Sequence, residues 1–257
     1  MEPTMTARVN RERVLLVGGQ RALVMQLAHP LVAAGVARHS DFPTRALARL
    51  RRTLDLSLSL IYGTRDEARA ASEAIRAVHD RVSGRAEGRS YSANDPELLL
   101  WVNATLIDTT LAVYERFVRP LEEAERSRYY LETVEAAEAF GIPGAAIPPD
   151  LDAFRFYVEG MLEGDELRAT EDSRRLVRDV LIPPLPLPLR LPTAVLRQVT
   201  VAMLPQRIRE MFDLRPGVVA RTTLAAGSTV SRILMPWLPP IVRDFSRARA
   251  AGSARRE

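Results

Sequence analysis

Residues 97–117 read ELLLWVNATLIDTTLAVYERF, and the spread of their apolar side chains decides what kind of protein this is. The first half is hydrophobic on every side of a 3.6-residue turn. A helix here has no face to give to water and belongs at the centre of a helical assembly. Asp95 supplies a cap, and Pro96 takes a first helical position where its missing N–H is not needed. Pro120 ends the run.

On the C-terminal side, 121–140 predicts a charged helix closed by Gly141 and Pro143. Asp150 starts a helix to about Glu163, and Thr170 or Asp172 starts another to Ile182. Segments 193–204, 205–212, 218–234 and the end from Leu238 are helical in character, with proline breaks between them. Between them, Ile182 to Pro192 alternates proline with leucine. Because proline fixes φ and removes a donor, that stretch is expected as an extended strap packed on the bundle.

On the N-terminal side, residues 8–28 predict one helix containing Gly18-Gly19, a pair that suggests close approach of another backbone or a flat ligand. Residues 29–39 are small and helical after Pro30. Ser40, Asp41 and Pro43 start a helix to about Tyr62 on which Arg45, Arg49 and Arg52 share a face. Thr64-Arg65-Asp66-Glu67 is a capping box whose helix is expected to run to Ser83 and close at Gly84. Ala68, Ala71, Ile75, Val78 and Val82 make its apolar side, with His79 at the border. Residues 85–95 read as a polar loop.

No alternating β-branched run bounded by tight turns is visible, so the fold class is all-α. The expectation is a single large bundle of about ten helices over residues 8–245, with a basic, disordered tail over 246–257.

Composition narrows the chemistry. With 257 residues, 47% of them hydrophobic, the chain can bury a substantial core. The absence of cysteine excludes disulfides, thiolate metal ligands, iron–sulfur clusters and cysteine nucleophiles. All 36 basic residues are arginine, but the net charge is only +4 and is dispersed. A nucleic-acid partner is therefore not expected. No apolar run approaches the roughly 20 residues of a membrane span, and no secretory h-region follows the start. A soluble, cytoplasmic protein is expected.

Gly18-Gly19 follows no strand, and neither a Walker loop, a dinucleotide fingerprint nor a G-x-S-x-G elbow occurs. None of the three histidines has a glutamate three residues before it, which removes the carboxylate-bridged di-iron bundle. What is left is one or two helical histidines, arginines on a neighbouring helix and apolar helices around them. That inventory suits haem: an imidazole as axial ligand, guanidinium groups for propionates, and small and apolar residues for the macrocycle. A lone helical histidine is also commonly a hydrogen-bonded structural residue.

Four segments carry a resemblance: RALVMQLAHPLVAAGVARHSDF (21–42), the Arg49-x-x-x-Thr53 step in RLRRT, IRAVHDRV (75–82) and YSANDPELLLWVNATL (91–106). In order and combination the chain resembles the MpaB and latex-clearing-protein (rubber oxygenase) catalytic domains. Members of that family that cleave rubber are helical, bind haem b and use dioxygen to break an isoprenoid double bond. The resemblance implies an oxidoreductase of the haem-dependent oxygenase type with iron held by His79, Arg49 and Thr53 as a supporting pair beside the haem, and a small hydrophobic substrate, isoprenoid or another natural product. Arg52 stands where one relative has a distal lysine, and Asn103 where many have histidine.

His29 and His39 belong to the resembling segment and are candidates either for the distal pocket or for fixing helix ends. Arg21, Arg38, Arg45 and Arg76 are candidates for propionates or for interhelical salt bridges. The alternative to an oxygenase is a non-catalytic helical ligand-binding or scaffold protein that keeps the architecture.

Overall fold

The computed structural model describes residues 4–39, 59, 63–183, 187–239 and 243–245. Among them are eleven α-helices: α1 (Met5–Asn10), α2 (Gly19–Leu27), α3 (Pro30–His39), α4 (Arg65–His79), α5 (Pro96–Phe117), α6 (Glu123–Ala139), α7 (Leu151–Glu163), α8 (Glu171–Leu181), α9 (Leu187–Met203), α10 (Gln206–Met211) and α11 (Val218–Leu234). One antiparallel hairpin, β1 (Ser83–Ala86) and β2 (Arg89–Ser92), lies between α4 and α5. Arg45, Arg49, Arg52 and Thr53 lie outside the described residues, as does the tail 246–257.

The enclosed helix is α5, and its side chains reach five hydrophobic clusters. Trp101 joins α2, α3, α8 and α10, while Ala104, Ile107 and Tyr114 join α1, α6 and α7. Leu98 packs with Leu31, Ala34 and Tyr91 beside the hairpin. Leu100 meets Ala137 and Ile142, and Val113 with Phe117 meets Val199 and Leu224. Burying each such leucine contributes about 2 kcal/mol. Trp101 is fully buried and still satisfies its indole N–H, which donates to the Met25 carbonyl at 3.3 Å.

The N-terminal segment packs on α5 through its backbone. A Cβ on Gly18 would lie 2.6 Å from Thr109 Cγ2 and 2.9 Å from Val113 Cγ2, so no larger residue fits without displacing α5. Close helix packing thus accounts for this glycine. The single helix expected over 8–28 is in fact α1, a 3₁₀ turn (Arg13–Gly18) and α2. The chain's ends are clasped as well. Fully buried Glu12 accepts from Arg243 Nε at 2.7 Å and from Nη2 at 2.7 Å, and the Phe245 N–H donates to the Arg11 carbonyl at 2.9 Å.

Three expectations are corrected. The helix that starts at Thr64 ends at His79, not Ser83, and residues 83–92, expected to end that helix and open a polar loop, form the hairpin instead. Its turn is Glu87-Gly88, with φ of 54° and 75°, the positive pair that lets two residues connect twisted strands. The extended strap is overturned from Leu187 onward, because α9 starts there and contains Pro188 and Pro192. Pro188 sits in a first turn whose N–H groups have no intrahelical acceptors. Pro192 forgoes only the bond to the Pro188 carbonyl, on an exposed stretch where water can replace it.

Candidate functional site

The capping box at the start of α4 is complete: Thr64 Oγ1 accepts from the Glu67 N–H at 3.2 Å, and the Glu67 carboxylate accepts from the Thr64 N–H at 2.8 Å. It sets the register of a helix whose less exposed stripe is Ala68, Ala71, Ser72, Ile75 and His79, at three- and four-residue spacing. Val78 turns outward, 42% exposed. His79 therefore belongs to the inner stripe, not to its border.

Burial lowers the His79 pKa below 6.5, opposed by the Asp80 carboxylate and by a hydrogen bond with the Asn94 side chain. Asn94 Nδ2 donates to Asp80 Oδ1 at 2.7 Å, so Asp80 and Asn94 form a bonded pair next to the imidazole. Asn94 lies within YSANDPELLL just before the cap Asp95, and nothing in its spacing marks it as a partner of His79.

The other two histidines stand at the two ends of α3. His29 is buried at the start of α3, where Nδ1 accepts from the Leu31 N–H at 3.3 Å, which makes the imidazole the helix cap before Pro30. His39, the last residue of α3, has Nε2 3.1 Å from the Ser83 carbonyl, and Arg38 Nη1 lies 2.5 Å from the Arg85 carbonyl. Both tie α3 to β1.

Burial also lowers the His29 pKa, with Arg89 and Arg168 adding to the effect and Glu166 and Asp95 opposing it. The folded chain binds a proton here less readily than the unfolded chain, whose histidine titrates near 6.5. Stability contributed by neutral His29 is complete above that value and is lost as pH falls below it toward the lowered folded pKa. Melting followed from about pH 8 to about pH 5 should fall more steeply for the wild type than for His29→Asn, which keeps a cap but cannot titrate. Identical slopes would contradict the assignment.

The arginines divide. Arg21, 5% exposed, donates to the Met203 carbonyl at 2.9 Å and to Thr109 Oγ1 at 2.6 Å, and its Nη2 lies 2.7 Å from Asp108 Oδ2, an ion pair off the hydrogen-bonding direction. Arg76 donates to the Ala139 carbonyl at 2.9 Å. Asn103 opens into a cavity of about 10 Å³ between α5, α6 and α7, room for about one water, and no α4 residue lines it.

No group of three or more histidine, aspartate or glutamate side chains that could hold a metal gathers among the described residues. Residues 40–62 add only Asp41 and Asp55 as carboxylates and no histidine. One neutral imidazole can retain iron only where a macrocycle fills most other positions, which is the donor set haem requires.

Fold and site define an all-α domain built round one enclosed helix, with a single imidazole on the inner stripe of a flanking helix. The chain belongs to the family described as ER-bound oxygenase mpaB/B'/Rubber oxygenase, catalytic domain, whose model matches residues 7–238. Two uncharacterised proteins, Mb2261 of Mycobacterium bovis and Rv2237 of Mycobacterium tuberculosis, are each 29% identical to it over 171 residues, covering 64% of this chain and 67% of theirs. No solved structure matches the chain. Among the described residues no helix is long and apolar enough to cross a membrane.

Proposed function

We propose that the chain is a haem b-dependent oxygenase that holds iron through His79 and acts on a hydrophobic substrate, an isoprenoid or another natural product. The observation that carries this reading is half-buried His79 on the less exposed stripe of α4, its pKa lowered by burial and the Asn94 side chain beside it. Bound haem would supply the redox-active iron that reacts with dioxygen. His79 would offer the ring lone pair that holds the iron, and the Asp80–Asn94 pair beside it would orient the ring.

Arg49 and Thr53, with Arg52 on the same expected helix, are assigned the polar contacts beside the haem by resemblance to the family. His29 and His39 are both engaged with backbone groups. For that reason the reading gives the haem-side polar role to Arg49 and Thr53 before either histidine.

Asn94→Ala should leave the melting temperature of the haem-free chain within a few degrees of wild type and weaken haem retention about 10- to 100-fold, as loss of a ligand-orienting partner does. Haem transfer to apomyoglobin measures it, and an unchanged transfer rate would remove Asn94 from the site. The activity itself is tested by dioxygen uptake when the haem-loaded full chain is given dispersed squalene, with its saturated counterpart as control. Uptake with the alkene alone supports the reading. Haem binding with no uptake on any hydrocarbon favours the second reading, a non-catalytic ligand-binding protein, to which Asn103 in place of the relatives' histidine points.

A further inference from the structure

We propose that the cleft between α8, α9 and the end of α10 binds an anionic amphiphile: a molecule with one carboxylate or phosphate head and an apolar tail. The cleft encloses about 290 Å³ and is lined by Val177, Leu181, Ile182, Phe212 and Leu214 with Arg174, Arg178 and Arg197. Among the described residues, three cations and no anion line it. Val177, Leu181 and Phe212 are buried residues that form apolar walls, while Arg174 and Arg178 stand exposed one turn apart on α8.

That arrangement is unfavourable without a ligand. Like charges four residues apart on a helix repel, and among the described residues no carboxylate pairs with either Arg174 or Arg178, whereas their neighbour Arg175 reaches Asp172 at 2.8 Å. Arg178 gains something from the C-terminal end of α8, where a cation is favoured. Arg197 has no such compensation. Its Nε is buried and lacks a hydrogen-bond partner, a donor left unsatisfied at a cost of about 1–3 kcal/mol.

An anion held by the three guanidinium groups satisfies that donor and offsets the repulsion. A tail laid on the apolar walls removes their edges from water. The volume lies near the low end of small-molecule sites, roughly 300 Å³, so the tail is short or runs out of the mouth. None of the lining residues belongs to α4 or the hairpin, so this site is separate from the one that holds His79.

The test titrates the full-length chain with decanoate, decanol and inorganic phosphate by calorimetry. Decanoate should saturate a single site, with decanol and phosphate each at least about tenfold weaker, the equivalent of about 1.4 kcal/mol. R174Q/R178Q, an exposed pair whose change leaves the fold intact, should weaken decanoate about tenfold, and R197Q should do the same. If R197Q does not fold, the exposed pair decides alone. Decanol binding as tightly as decanoate would reduce the cleft to an apolar crevice, phosphate binding as tightly would make it a free-anion site, and unaffected variants would place binding elsewhere. Any of these overturns the proposal.

Discussion

Replacing His79 with alanine should abolish the Soret band of the haem-loaded chain and lower any oxygenase turnover at least about a hundredfold. The expectation rests on the donor set, because no other histidine of the chain has a ring free of backbone duties: His29 caps α3 and His39 holds Ser83. The fold should survive, since His79 is only half-buried at the last position of α4. Far-ultraviolet circular dichroism should therefore melt as in the wild type. Added imidazole should restore the band in His79→Ala, because a small free ligand can occupy the space the side chain leaves. A structural role would not be rescued that way, so a His79→Ala protein with an unchanged spectrum sinks the ligand assignment.

The second large effect is on stability. Arg21→Met should destabilise the chain by about 3–5 kcal/mol, because it leaves the Asp108 carboxylate, the Thr109 hydroxyl and the Met203 carbonyl without their shared cation. For a chain of this size that corresponds to a fall in melting temperature of roughly 10 °C. Arg21 joins three elements at once, α2 to α5 and α9, so methionine can replace its packing but none of its bonds. If Asp108→Asn is combined with Arg21→Met, part of the loss should return, since the uncompensated charge is gone. A melting temperature within about two degrees of wild type would show that water already satisfies these groups.

Much of the helical framework was legible because its signals are local. The Thr64–Glu67 box, Asp95 before Pro96, Asp150 and Thr170 each place a side-chain acceptor on helical N–H groups of the first turn, and all four caps form. The apolar spread of 97–117 likewise requires partners on every side, and α5 has them. What failed to read depends on partners distant in sequence or on position within a turn. SGRA and RSYS do not alternate apolar with polar residues. Their pairing rests on the Glu87-Gly88 turn and on Tyr91 packing under α3. The prolines of 187–192 looked forbidding because the rule against helical proline concerns helix interiors, whereas Pro188 occupies the first turn and Pro192 gives up one bond on an exposed stretch.

The sequence singled out His79 as the candidate ligand residue but not the groups that surround it. His79 follows from the scarcity of histidine and from the family segments. The inward aim of its ring depends on the register set by Thr64, and the binary pattern placed Val78 there instead. Asn94 is brought near His79 by the hairpin, a detour of fourteen intervening residues that no spacing rule reports. Asp108 was equally silent as the partner of Arg21, because an aspartate on an enclosed helix reads as an exception until its cation is located across the packing.

Whether this helical oxygenase-family domain holds haem through one imidazole is decided by an ultraviolet–visible spectrum with iron analysis of the purified full-length chain. The protein should show a Soret band, gained on adding haemin if it is purified without it, and about one iron per chain, as single-histidine ligation requires. A colourless protein that takes up no added haemin would contradict it.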